Sequence, residues 1–145
     1  MSGYQPGVQV GRTARHGRLQ LALDIERVLD VSTRQPIRAE FTFAPEAPSI
    51  VCAEFGIEGG PRVLWRIERD VLCQGLHARS GTGDVQVWPS PVANRATAWL
   101  QLASGDMAAL FALPVAPLAE WLEHTYELVP AGRAHPVRGM RPGGL

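Results

Sequence analysis
Lysine is absent from this 145-residue chain, and each of its 14 Lys/Arg positions is arginine. That uniformity reflects coding bias, not chemistry. Cysteine is scarce: Cys52 and Cys73 cannot build a disulfide framework, and free cysteines are commonly small buried hydrophobes. No apolar run approaches the ~20 residues of a membrane-spanning helix. The stretch MSGYQPGVQVGRTARHGR at the N-terminus has no apolar segment of the signal-peptide kind, so the expected location is cytoplasmic. Net charge is +0 at neutral pH, but it is unevenly spread. Arg12, Arg15, Arg18, Arg133, Arg138 and Arg141 lie in terminal stretches without acids, leaving residues 19–129 with 8 basic and 14 acidic side chains, net −6. A body of that sign repels phosphate backbones.

Groups that carry chemistry are equally sparse. His16, His77, His124 and His135 are scattered, and none pairs with Cys or carboxylate at metal-ligand spacing. Ser80, Ser90 and Ser104 are turn residues outside any nucleophile-elbow context. Gly81-x-Gly83 precedes a strand rather than a helix, so it cannot present the amide cluster of a phosphate-binding loop. Asp24, Glu26 and Asp30 are solvated charges along a strand, with no acid/base pair among them. The expectation is a protein without catalytic residues, cofactor or metal.

What is abundant is turn chemistry and alternation. Gly and Pro number 15 and 12, which suits many turns between short strands. A 46% apolar content supports one domain, able to bury roughly 68–70% of its unfolded surface. Residues 1–16 lack periodicity and read as a flexible leader or a loosely added strand. Leu19, Leu21, Leu23 and Ile25 then point one way along a strand. Ser32–Pro36 reads as a turn, Ile37–Phe43 as a second strand, and Val51, Ala53, Phe55 and Ile57 as a third. Glu58-Gly59-Gly60 is a turn, and Ser90-Pro91-Val92-Ala93 a loop. Ala96–Leu102 and Met107–Ala112 read as strands about a tight turn at Ser104-Gly105-Asp106. Leu118, Trp121, Leu122 and Thr125 share one face of a helix near Pro117. Residues 130–145, in which seven of sixteen are Gly or Pro, read as a flexible tail.

The stretch Pro61–Pro89 organises the rest. Val63, Trp65 and Ile67 alternate as a strand; Val71, Leu72 and Leu76 follow at helical spacing. Asp70 sits near the helix start, where the peptide dipoles favour it, and Arg69 is expected to reach a neighbouring carboxylate or to dock a partner. Gly75 is placed where a short helix needs positive φ. Ser80–Gly83 is a turn, Asp84–Trp88 a strand, and Pro89 its end. Trp65 and Trp121 belong to the core. Trp88 and Trp99 lie on the faces opposite Val87 and Leu100. With Ile50 and Leu64, they form the candidate interaction surface, because large apolar groups on a second face suit self-association.

The strings WRIERDVLCQGL and GTGDVQVWPS closely resemble the signature of the SsgA/SsgB-like proteins, actinobacterial factors of sporulation-linked cell division. Trp65, Arg69, Asp70, Leu72, Gly75, Leu76, Gly81, Gly83, Asp84, Val85, Val87, Trp88 and Pro89 carry it, and the likeness extends over roughly 17–135. It makes 17–129 an SsgA/SsgB-like domain. The implied fold class is α+β: antiparallel sheets curled into a barrel-like, whirly-like domain, with a short helix after the fourth strand and a C-terminal helix. The implied function is that of a non-enzymatic adaptor, a homo-oligomer such as a trimer. It is recruited to the septum, where relatives localise the tubulin-like protein FtsZ or steer wall remodelling. The alternative is a single-stranded nucleic-acid-binding protein, which the acidic body disfavours. Two departures bear on partner choice. Phe43-Ala44-Pro45-Glu46-Ala47-Pro48-Ser49 replaces an acidic and aromatic loop, and the longer acidic C-terminal extension of some relatives is lacking.

Overall fold
The computed structural model describes residues 17–56, 59–91 and 96–132, and the backbone course of 8–15. The expected tail beyond 132, the first seven residues, His16, Ile57-Glu58 and the loop at 92–95 lie outside the described residues.

Every strand pair is antiparallel. The strands are β1 (Val8–Arg15), β2 (Arg18–Asp30), β3 (Thr33–Phe43), β4 (Ile50–Gly56), β5 (Arg62–Glu68), β6 (Val85–Pro89), β7 (Thr97–Ser104) and β8 (Met107–Pro114), with helices α1 (Arg69–Gly75) and α2 (Val115–Leu128). They run β5-β4-β3-β2-β8-β7-β6, and β1 pairs with the N-terminal half of β2. The stretch 8–15 is therefore an added strand rather than a free leader. With it counted, α1 follows the fifth strand.

Alternation dictates which face is buried. Leu21, Leu23, Ile25, Phe41, Phe43, Val51, Ala53, Phe55 and Leu100 are all buried, and the residues between them along each strand are not. Side chains two apart share a face, so one register places all of them on the same side. The sheet is also curled. β4 and β8 are three positions apart, about 14 Å across a flat sheet. Yet Phe55 and Phe111 stack at 4.7 Å with rings 17° apart. α2 lies in the trough with Leu118, Trp121, Leu122 and Thr125 buried, the stripe expected from its spacing, and Trp121 meets Phe41 at 6.2 Å.

Three local expectations are corrected. Ser32–Pro36 is not a long turn: β3 starts at Thr33, and Pro36 pairs with Glu26. Proline is tolerated there because β4 pairs with β3 only from Arg38 onward, leaving that edge without a ladder bond to lose. Gly75 does not have positive φ. It is required because a Cβ would fall on Val87 Cβ and Cγ1, so α1 can lie against β6 only through glycine. The last strand of the signature starts at Val85, not Asp84. Gly81 and Gly83 do have positive φ, 90° and 69°, as a turn requires.

Candidate interaction surface
Arg69 opens α1, and its backbone N–H donates to the Ser49 carbonyl at 2.8 Å. The helix has no side-chain cap, so Asp70 does not cap it. Instead Asp70 accepts from the Tyr126 hydroxyl at 2.5 Å. Nor does Arg69 reach a neighbouring carboxylate as expected. It is buried, 1% exposed, and its Nη1 donates to the Thr125 carbonyl at 2.9 Å. Its guanidinium lies 3.9 Å from the Tyr126 ring centroid and 4.9 Å from that of Phe43. Nε and Nη2 have no hydrogen-bond partner; the Thr125 carbonyl, the nearby Asp70 charge and the two aromatic faces stabilise the cation. Burial lowers the pKa of Arg69. Burial and then the hydrogen bond to Asp70 raise that of Tyr126, and burial raises that of Cys73. This is a clamp from α1 onto the last turns of α2. Tyr126, 56 residues from Asp70, carried no sequence signal of that role.

The rest of the signature surrounds the same corner. Leu72 and Leu76 are buried, Gly75 meets Val87, and Ser80 exchanges two backbone hydrogen bonds with Val87. Trp65 is half-buried, facing the open end of the trough. Asp84 is exposed, its carbonyl held by the Ala103 N–H. Pro89 pairs with Ala98.

The four surface candidates fall into two patches. Trp88 and Trp99 are direct cross-strand partners, half-buried, and each carries an arginine: Arg79 at 4.6 Å from Trp88 and Arg34 at 5.6 Å from Trp99. Ile50 and Leu64 lie at the other end of the sheet path, on β4 and β5. Leu64 is 61% exposed. Between the patches the outer face is crossed by ion pairs, among them Arg38–Asp24 at 2.9 Å and Arg62–Glu54 at 3.3 Å. Cys52 shares this outer face, half-buried beside Arg66; only Cys73 packs against the core. β5 pairs with β4 alone, so its second edge offers free backbone groups among the described residues. Two features went unread in the sequence. One is that edge; the other is an open-mouthed cavity of about 250 Å³ lined by Ile37, Phe55, Val63, Trp65, Leu102 and Phe111 among others.

Among the described residues no cluster of three or more His, Cys, Asp or Glu could hold a metal. No helix among them is long and apolar enough to cross a membrane.

A family model described as Streptomyces sporulation and cell division protein, SsgA, matches residues 37–134. The sporulation-specific cell division protein SsgB of Thermobifida fusca is 36% identical over 98 residues, covering 68% of this chain and 71% of that protein. SsgB of Salinispora tropica is 34% identical over 117 residues, covering 79% and 82%. An SsgB structure, solved in work correlating SsgB mutations with longitudinal cell division during sporulation of Streptomyces coelicolor, superposes with a TM-score of 0.77. It is 30% identical, covering 87% of this chain and 98% of that one.

Proposed function
The chain belongs to the SsgA family of sporulation and cell division proteins, and from that premise we propose that it is a non-catalytic factor of sporulation-specific cell division. It acts at the septum by protein–protein contact, as a homo-oligomer that localises or promotes assembly of FtsZ. The names of its relatives support the process. The observation that carries the contact mode is β5, seven residues long, with Val63 52% and Leu64 61% exposed on a strand paired along one side only. Exposed apolar edge strands are templates for pairing with another chain, and head-to-tail pairing closes into a small ring, here a trimer.

Nucleic-acid binding is the weaker reading. Trp88 and Trp99 form an aromatic platform, but Arg79 and Arg34 already cover them, and base stacking needs open rings. The test is light-scattering mass of the full chain, with FtsZ sedimentation in its presence and absence. The expected result is a mass of three chains and more FtsZ in the pellet. A monomer that leaves FtsZ unchanged overturns the reading, and tight, salt-sensitive binding of single-stranded DNA favours the alternative.

A further inference from the structure
The inward-facing parity of β2 ends in a charge. Leu21, Leu23 and Ile25 are buried, and the next residue on that side is Arg27, opposite Gln35 on β3 and Phe111 on β8. Arg27 lines the open-mouthed cavity, whose remaining walls are mostly apolar. Its Nε is buried without a hydrogen-bond partner, and no carboxylate lines the cavity among the described residues. The contrast with Arg69 is instructive. Arg69 has two aromatic faces and a carbonyl, whereas Arg27 has no such compensation in the described structure. Arginine does not shed its proton, and with its Nε buried and unpartnered at an apolar mouth the guanidinium favours an anion there.

We propose that this mouth binds a medium-chain carboxylate, its head on Arg27 and its chain laid over Phe55, Trp65 and Phe111. Size selects the class. A 150 Å³ apolar cavity takes benzene, so about 250 Å³ suits an unbranched chain of roughly eight to ten carbons, below the range of drug-sized ligands. Charge selects the head group: an amine of the same length meets an uncompensated cation, and an alcohol gains only the walls. This inference is independent of the septal role.

The test is isothermal titration of the full chain with sodium octanoate, octylamine and 1-octanol, each below its micellar range. Octanoate is expected to bind saturably at one per chain, and octylamine at least about tenfold more weakly. In Arg27→Gln, octanoate should lose roughly tenfold to a hundredfold in affinity while octanol is unchanged. Ala109→Phe, which fills the mouth, should abolish binding of both ligands with an unaltered circular dichroism spectrum. Three outcomes overturn the proposal. They are no saturable heat up to about 10 mM octanoate, octanoate affinity unchanged in Arg27→Gln, and octanoate bound no better than octylamine. Any of these leaves Arg27 as an inward charge without a ligand, on a strand that is paired on both sides at that point.

Discussion
Replacing Gly75 by alanine tests the geometry of the signature corner most directly. Two effects oppose each other. An unstrained helical glycine gains up to about 1 kcal/mol of helix propensity on becoming alanine, and Gly75 has no positive φ to lose. Against this, the new Cβ overlaps Val87 Cβ and Cγ1 and comes within 3.0 Å of the Val87 carbonyl. Val87 is 0% exposed, so it cannot swing into solvent, and α1 must lift away from β6. Overpacking of this kind costs about 1–3 kcal/mol, occasionally more. The strand backbone is part of the clash, so the upper end of about 3 kcal/mol applies, and after the gain of up to about 1 kcal/mol the net expectation is a loss of about 2 kcal/mol. That is a large fraction of the ~5–15 kcal/mol holding a typical domain together. Equilibrium urea unfolding at fixed protein concentration, followed by tryptophan fluorescence, reads the loss as a lower midpoint at unchanged slope. Two further variants separate close approach from backbone strain. Gly75→Asn should be worse than Gly75→Ala, whereas a positive-φ position would prefer Asn. Val87→Ala should not rescue Gly75→Ala, because the clash includes Cβ itself, while Val87→Gly should show favourable coupling in a double-mutant cycle. A Gly75→Ala chain as stable as the parent refutes the reasoning.

Tyr126 and Cys73 both have folded-state pKa values raised above their ordinary ones, first by burial. Their contribution is therefore intact below about pH 9 and falls as pH rises, by up to about 1.4 kcal/mol per pH unit per proton. Urea midpoints between pH 8 and 11 should decline in the parent and decline less in a Tyr126→Phe, Cys73→Ala double variant. At neutral pH, Tyr126→Phe alone should cost about 1–2 kcal/mol by removing the donor to Asp70, measured by the same unfolding curves. Arg69→Lys should destabilise by about 2 kcal/mol or more, since an ammonium keeps the buried charge without the flat stacking surface. Arg69→Met should cost less, and the order of the two midpoints is the check. Leu64→Lys is expected to change monomer stability by no more than about 0.5 kcal/mol while lowering the light-scattering mass, because it places a charge on the exposed strand, opposite Glu54 and without touching the core.

Much of the fold was legible because one property repeats. Leu19 to Ile25, Val51 to Phe55 and the Leu118–Thr125 stripe follow periods of two and 3.6, and a buried face enforces each. What escaped was set by residues far apart in the chain. Gly75 faces Val87 only once α1 is folded over β6, so its proximity to a helix end suggested the wrong constraint. Arg69 looked like a surface charge because no local pattern reveals that Phe43 and Tyr126 close around it. The β1 ladder was hidden by arginines and glycines, whose composition matches that of a leader. Arg27 is the exception. It continues the parity of Leu21, Leu23 and Ile25, so its inward direction could have been read from spacing alone.

The residues that carry the family resemblance are mostly occupied inside this fold. Trp65, Arg69, Asp70, Gly75 and Leu76 are taken up with fastening α1 to β6 and α2 or closing the trough, and Gly81 and Gly83 with shaping a turn. Residues so occupied shape the fold and present little of themselves to a partner. The loop at 43–49 is well placed for that. Its Ser49 carbonyl holds the first N–H of α1, and Ala44 accepts from the Ala47 N–H within a tight turn. It is anchored at the clamped corner, yet Glu46 and Ala47 at its tip are exposed. A rigid base with an exposed tip, held to the body by the Arg18–Glu46 surface ion pair, lets side chains change without disturbing the core beneath. Substitutions at Glu46 and Ala47 are expected to alter what this surface presents and to leave the clamp beneath it unchanged.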